Sequence, residues 1–73
     1  MAQEIVEVPI TGKVISVNCT AGSTVSEGDI LCILESMKME NPILSPVSGT
    51  VTEVKVSPNQ QVEAGDLIAI IEY

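Results

Sequence analysis

The chain has 73 residues, 45% of them hydrophobic but only 1% aromatic, and ten acidic side chains against three basic ones give a net charge of −7. The bases are Lys13, Lys38 and Lys55, with no arginine and no histidine. This excludes the clustered cations that nucleic acid requires, the usual clamp for a private ATP or coenzyme A site, and the commonest general base and metal ligand.

The length suits one domain, residues 1–73, near the lower limit for a chain that folds without disulfides or metal. No apolar run approaches the ~18 residues of a membrane span, so no membrane insertion is expected. "MAQEIVEV" has neither a basic region nor an apolar one of the kind that directs secretion, so a cytoplasmic location is expected.

In chain order, "MAQEIVEV" enters a strand almost at once. "GKVISV" (12–17) then alternates apolar with polar residues, the period of a half-buried strand. "AGSTVSEGD" (21–29) carries turn residues around one apolar side chain, Val25. "DILCILE" (29–35) is a short, β-branched apolar run, which favours a buried strand over a helix. "ENPILS" (40–45) follows as the partner strand of a hairpin. "GTVTEVKV" (49–56) alternates again, "PNQQVEAGD" (58–66) reads as turns around Val62, and "DLIAIIE" (66–72) is a second buried strand. No segment sustains a helical period.

This order is a repeat. At a constant offset of 37 residues and without a gap, Pro9, Gly12, Val14, Val17, Val25, Gly28, Asp29, Ile33 and Glu35 fall on Pro46, Gly49, Val51, Val54, Val62, Gly65, Asp66, Ile70 and Glu72. Two repeats are too few for a solenoid. They predict one closed all-β unit with pseudo-two-fold symmetry, a flattened barrel or sandwich of two four-stranded sheets. Cys19 falls on Val56 and Cys32 on Ala69, so both cysteines are expected to be free, buried thiols that behave as small hydrophobes.

The join between the repeats is "ESMKME" (35–40). Lys38 minus 37 is residue 1, so a two-fold puts this lysine at one tip and both chain ends at the other. The join predicts a tight hairpin, although neither Met37 nor Lys38 is a residue that favours the positive φ of a two-residue turn. By strand alternation alone, Met37 and Met39 would instead share a buried face and leave Lys38 solvated.

"ESMKME" resembles the modification motif of the biotinyl/lipoyl attachment family, usually Ala-Met-Lys-Met, and "PVSGTV" resembles the segment that follows it. The likeness runs from about Glu4 to Glu72 and includes the duplication. It implies that Lys38 carries covalent biotin, attached by a biotin protein ligase that suits Met37 and Met39. It further implies a non-catalytic biotin carboxyl carrier. A biotin carboxylase would load the ureido ring from ATP and bicarbonate, and a carboxyltransferase would unload it to an acceptor. Ser36 replaces the usual Ala, a small-for-small change. The gap-free repeat implies that the protruding hairpin, or thumb, of some bacterial carriers is absent. The lipoyl branch, with an acid before its lysine and a small residue after, fits less well than biotin. An unmodified barrel acting as a binding module is the third reading. A net charge of −7 on so small a surface favours a monomer between encounters.

Overall fold

Alternation and β-branching produce strands where the two repeats require them. The computed structural model describes all residues from Met1 to Tyr73. The first half contributes β1 (Gln3–Glu7), β2 (Gly12–Val17), β3 (Thr24–Val25) and β4 (Ile30–Ser36). The second contributes β5 (Met39–Leu44), β6 (Gly49–Val54), β7 (Gln61–Val62) and β8 (Leu67–Glu72). There is no helix, hence none long and apolar enough to cross a membrane.

All strand pairs are antiparallel, in two four-stranded sheets of order β1-β8-β6-β3 and β5-β4-β2-β7. The offset of 37 carries β1 onto β5, β2 onto β6, β3 onto β7 and β4 onto β8, so it exchanges the two sheets. Each sheet takes two strands from each half, and neither half can complete a sheet alone. The molecule measures 36 × 18 × 16 Å along its principal axes, with the lysine hairpin and the chain ends at opposite tips.

Fourteen buried side chains form the core, all of them Val, Leu, Ile, Ala or Cys. With no ring to accommodate, two twisted sheets can approach closely and fill the space with short, stiff side chains. Matching bulges serve this core. Regular alternation would point Leu31 and Cys32 to opposite faces, yet both are fully buried, and the β4–β5 register slips between Ile30 and Cys32. The β1–β8 register slips at the equivalent place, where Ile68 and Ala69 are likewise buried. An extra residue in one strand turns two consecutive side chains inward.

Short side-chain links fix the turns. The Asp29 carboxylate accepts from the Ser26 N–H at 2.8 Å, and the Asp66 carboxylate from the Glu63 N–H at 2.9 Å. Each aspartate reaches back three residues and closes the loop that the repeated Gly-Asp pair announces. The only buried polar side chain, Ser45, donates from Oγ to the Val47 carbonyl at 2.6 Å. Two expectations need correcting. The segments 21–29 and 58–66 are not turns alone, because Thr24–Val25 and Gln61–Val62 pair with β6 and β2. In addition, the strand expected over 49–56 ends at Val54, although the Lys55 N–H still reaches the Ile68 carbonyl at 2.8 Å.

One close approach sets how the strands cross. A Cβ on Gly12 would run into the Glu35 carbonyl oxygen, and one on Gly49 into that of Glu72. Backbone cannot yield there as a flexible side chain could. Gly12→Ala and Gly49→Ala should each cost about 1–3 kcal/mol, the usual range for overpacking, and by similar amounts because the two contacts are equivalent. Urea denaturation measures both.

Candidate functional site

The β4–β5 ladder runs from Ile30↔Leu44 to Ser36↔Met39, which leaves Met37 and Lys38 as the two residues of the connecting turn. Their φ values are 55° and 65°. Positive φ at both positions is the twist that joins two right-twisted strands with only two residues, and it ordinarily calls for Asn or Gly. For non-glycine residues this conformation costs of the order of 1 kcal/mol each, and the paired strands on either side hold the turn in it.

Two further contacts brace the base of the turn. Gly12 lets β2 pass under the Glu35 carbonyl, and Ser36 Oγ donates to the Thr11 carbonyl at 3.0 Å. The serine that replaces the commoner alanine thus ties the end of β4 to the β1–β2 connection. Sequence reading gave no sign of this bond, because the register between Thr11 and Ser36 is set by tertiary pairing.

The methionines do not pack. Met37 is 92% exposed and Met39 66%, which removes the alternative in which they belong to the core. They stand uncovered on either side of an exposed lysine. The lysine itself is unpaired: the one ion pair of the molecule joins Lys55 to Glu53 at 3.4 Å. Lys38 is therefore an amine on a fixed backbone, in water, with no carboxylate holding it.

Around its base, a row of outward side chains crosses the sheet from Gln61 on β7 through Lys13 on β2 and Glu35 on β4 to Glu40 on β5. Glu35 and Glu40 face each other directly, a mildly unfavourable like-charge pair, with Lys13 on the flank of Glu35. An open groove of about 480 Å³ lies beside the turn, lined by Thr11, Gly12, Lys13, Glu35, Ser36, Met37, Lys38 and Gln61. A slightly larger groove of about 530 Å³, around Cys19, Thr24 and Asp29, does not include the lysine. No group of three or more His, Cys, Asp or Glu side chains is arranged to hold a metal ion.

The sequence and the fold both have counterparts among known proteins. The family described as biotin-requiring enzyme matches residues 4–71. The gamma subunit of methylmalonyl-CoA decarboxylase from Veillonella parvula is 49% identical over 43 residues, which cover 59% of this chain and 33% of that subunit. Human mitochondrial pyruvate carboxylase is 47% identical over 38 residues, 52% of this chain and 3% of the carboxylase. The crystal structure of Kluyveromyces lactis urea carboxylase superposes with a TM-score of 0.89 at 32% identity, covering 99% of this chain and 6% of that one. The chain spans a third or less of the length of these proteins.

Besides the lysines, the cysteines are the other candidate nucleophiles. Both are free and buried, at 6% exposure for Cys19 against 7% for its equivalent Val56, and 0% for both Cys32 and Ala69. Burial pushes both thiols up. Cys32 rises from 9.0 to about 11, through desolvation first and the nearby Cys19 second. A thiol held protonated is a poor nucleophile, so these side chains act as core. The upward displacement also links stability to pH. Below pH 9 both folded and unfolded chains keep the Cys32 proton, and no dependence arises. Between pH 9 and about 11 the unfolded chain releases a proton that the folded chain retains, so stability falls as pH rises. Urea titrations across that interval should show the decline, and Cys32→Ala, which installs the residue of the other half, should reduce it to the part that the raised Cys19 thiol contributes.

Proposed function

Since the chain belongs to the biotin-requiring-enzyme family, we propose that it is a biotin carboxyl carrier, acylated on Lys38 Nζ, that shuttles a carboxyl group between two partner enzymes. The observation that carries this reading is the turn. A strained two-residue hairpin lifts one unpaired amine between two exposed methionines, where nothing else in the molecule gives those residues a task. The amine fits the group. Biotin ends in a carboxyl, and an amide to an exposed primary amine needs no pocket in the carrier.

When bound, biotin supplies a ureido nitrogen that can hold a carboxyl group. The chain supplies the rest of what a carrier requires. The Lys38 ammonium loses two protons as Nζ forms the amide to the biotin carboxyl, and the displaced carboxyl oxygen leaves on the AMP that a biotin protein ligase cleaves, with pyrophosphate, from ATP. Met37 and Met39 offer that ligase apolar, adaptable contact at both sides of the amine. The turn keeps the backbone fixed while the long side chain stays free, so the tether moves and its root does not. Tethering replaces diffusion of a small cofactor by a high effective concentration at each partner. In this reading those partners are a biotin carboxylase and a carboxyltransferase; what supports it is that relatives of the chain are carboxylases or a decarboxylase. Acylation removes one positive charge and takes the chain from −7 to −8.

The carrier has no need of chemistry of its own, which accounts for a composition without histidine or arginine. Met on both sides of the lysine favours biotin over lipoate, and so do relatives that are carboxylases or a decarboxylase.

Incubation with ATP, biotin and a biotin protein ligase should add one biotinyl mass, which peptide mapping places on Lys38. Lys38→Ala should abolish the increment and change unfolding free energy by less than about 0.5 kcal/mol, as expected for an exposed side chain, while Lys55→Ala is modified as before. A lipoyl increment alone, in a parallel reaction with lipoate and its ligase, would move the protein to acyl transfer.

A further inference from the structure

Resting on the carrier reading, we infer that the polar groove beside the turn is a docking site for the cyclic urea of the cofactor tethered to Lys38. The groove of about 480 Å³ begins at the lysine itself, which is one of its walls together with Met37. Its other walls are the side chains of Thr11, Lys13, Glu35, Ser36 and Gln61, held in place by strand register: Lys13 opposes Gln61 on one side and Glu35 on the other.

The donor and acceptor set matches a cyclic urea. Such a ring presents one carbonyl acceptor and two N–H donors, fused here to a thioether ring with apolar edges. Lys13 and Gln61 offer N–H donors for the carbonyl, Glu35 offers a carboxylate for the N–H groups, and Met37, the one apolar residue of the lining, offers a surface for the sulfur-containing ring. Lys13 is free to serve. It makes no ion pair, since the single pair of the molecule is Lys55–Glu53. Once Lys38 is acylated, Lys13 is also the only unpaired lysine left in a strongly acidic chain. The second half of the repeat has Thr50 where the first has Lys13, so the fold does not demand a cation there.

The site is open and polar, which makes it a resting place and not a trap. Water competes for each of its hydrogen bonds, so the net gain per bond is small and the arm is released readily. The tether makes even a weak site occupied, because the ring is never far from it.

The test uses the full chain, labelled with ¹⁵N and ¹³C, biotinylated enzymatically and confirmed by mass. Isotope-filtered NOE spectra should connect protons of the unlabelled ring to Thr11, Lys13 and Gln61, and amide shifts on modification should extend from Met37–Met39 to Gly12, Lys13 and Gln61. In biotinylated Lys13→Ala the docking equilibrium constant should fall roughly fivefold, the equivalent of one ordinary hydrogen bond, and the ring NOE intensities should drop with the bound fraction. Biotinylation with shifts confined to residues 37–39 and no NOE to the groove would overturn this inference and leave the carrier reading intact. The absence of any biotinyl increment would overturn both.

Discussion

A missing side chain decides where the lysine turn can stand. At Gly12 the backbone of β2 passes so close to the Glu35 carbonyl that no Cβ fits, and this contact presses the end of β4 against the start of β2. The β4–β5 ladder then has one place to reverse, directly beyond that crossing. Everything at the tip follows from it: the Ser36–Thr11 bond, the left-handed backbone of Met37 and Lys38, and the alignment of Lys13 beside Glu35. The equivalent crossing of Gly49 under Glu72 does the same at the other tip, where the chain ends and no turn is made.

The duplicated fold is thus symmetric in its mechanics and asymmetric in its chemistry. Both halves use the same bulge, the same aspartate loop closure and the same glycine crossing. Only one has a two-residue turn with an amine on it, and only one has a lysine at the strand position next to glycine. Burial explains the equivalent positions and does not explain these two. That contrast separates what the core needs from what a cofactor or a partner would need.

Much of the fold was legible because the sequence states it twice. A gap-free offset aligned strands, turns and core positions, and the matched burial of Cys19 with Val56 and Cys32 with Ala69 follows from it. The two-residue strands β3 and β7 were concealed because turn residues surround them and their pairing partners lie far along the chain. Lys38 was legible from its place at the repeat junction and from the resemblance of its motif. The exposure of Met37 and Met39 was open on alternation alone, since a strand would have buried them and a turn frees them. The groove was not legible at all. Its walls come from β2, β4, β7 and the loop before β2, and only the register of three strands brings Lys13, Glu35 and Gln61 into one row.

Ala2 and Tyr73 exchange both backbone hydrogen bonds, at 2.7 and 2.8 Å, and occupy the places that Ser36 and Met39 occupy at the lysine tip. The two ends therefore already meet as the flanks of a hairpin in which Met1 stands at the position equivalent to Lys38 and the residue equivalent to Met37 is lacking. In topological terms the strand order is a ring cut once, with no privileged first strand. Joined at Ala2 and Tyr73 and opened elsewhere, the chain would trace the same eight strands, and a lysine placed in the new join would stand as the two-fold image of Lys38.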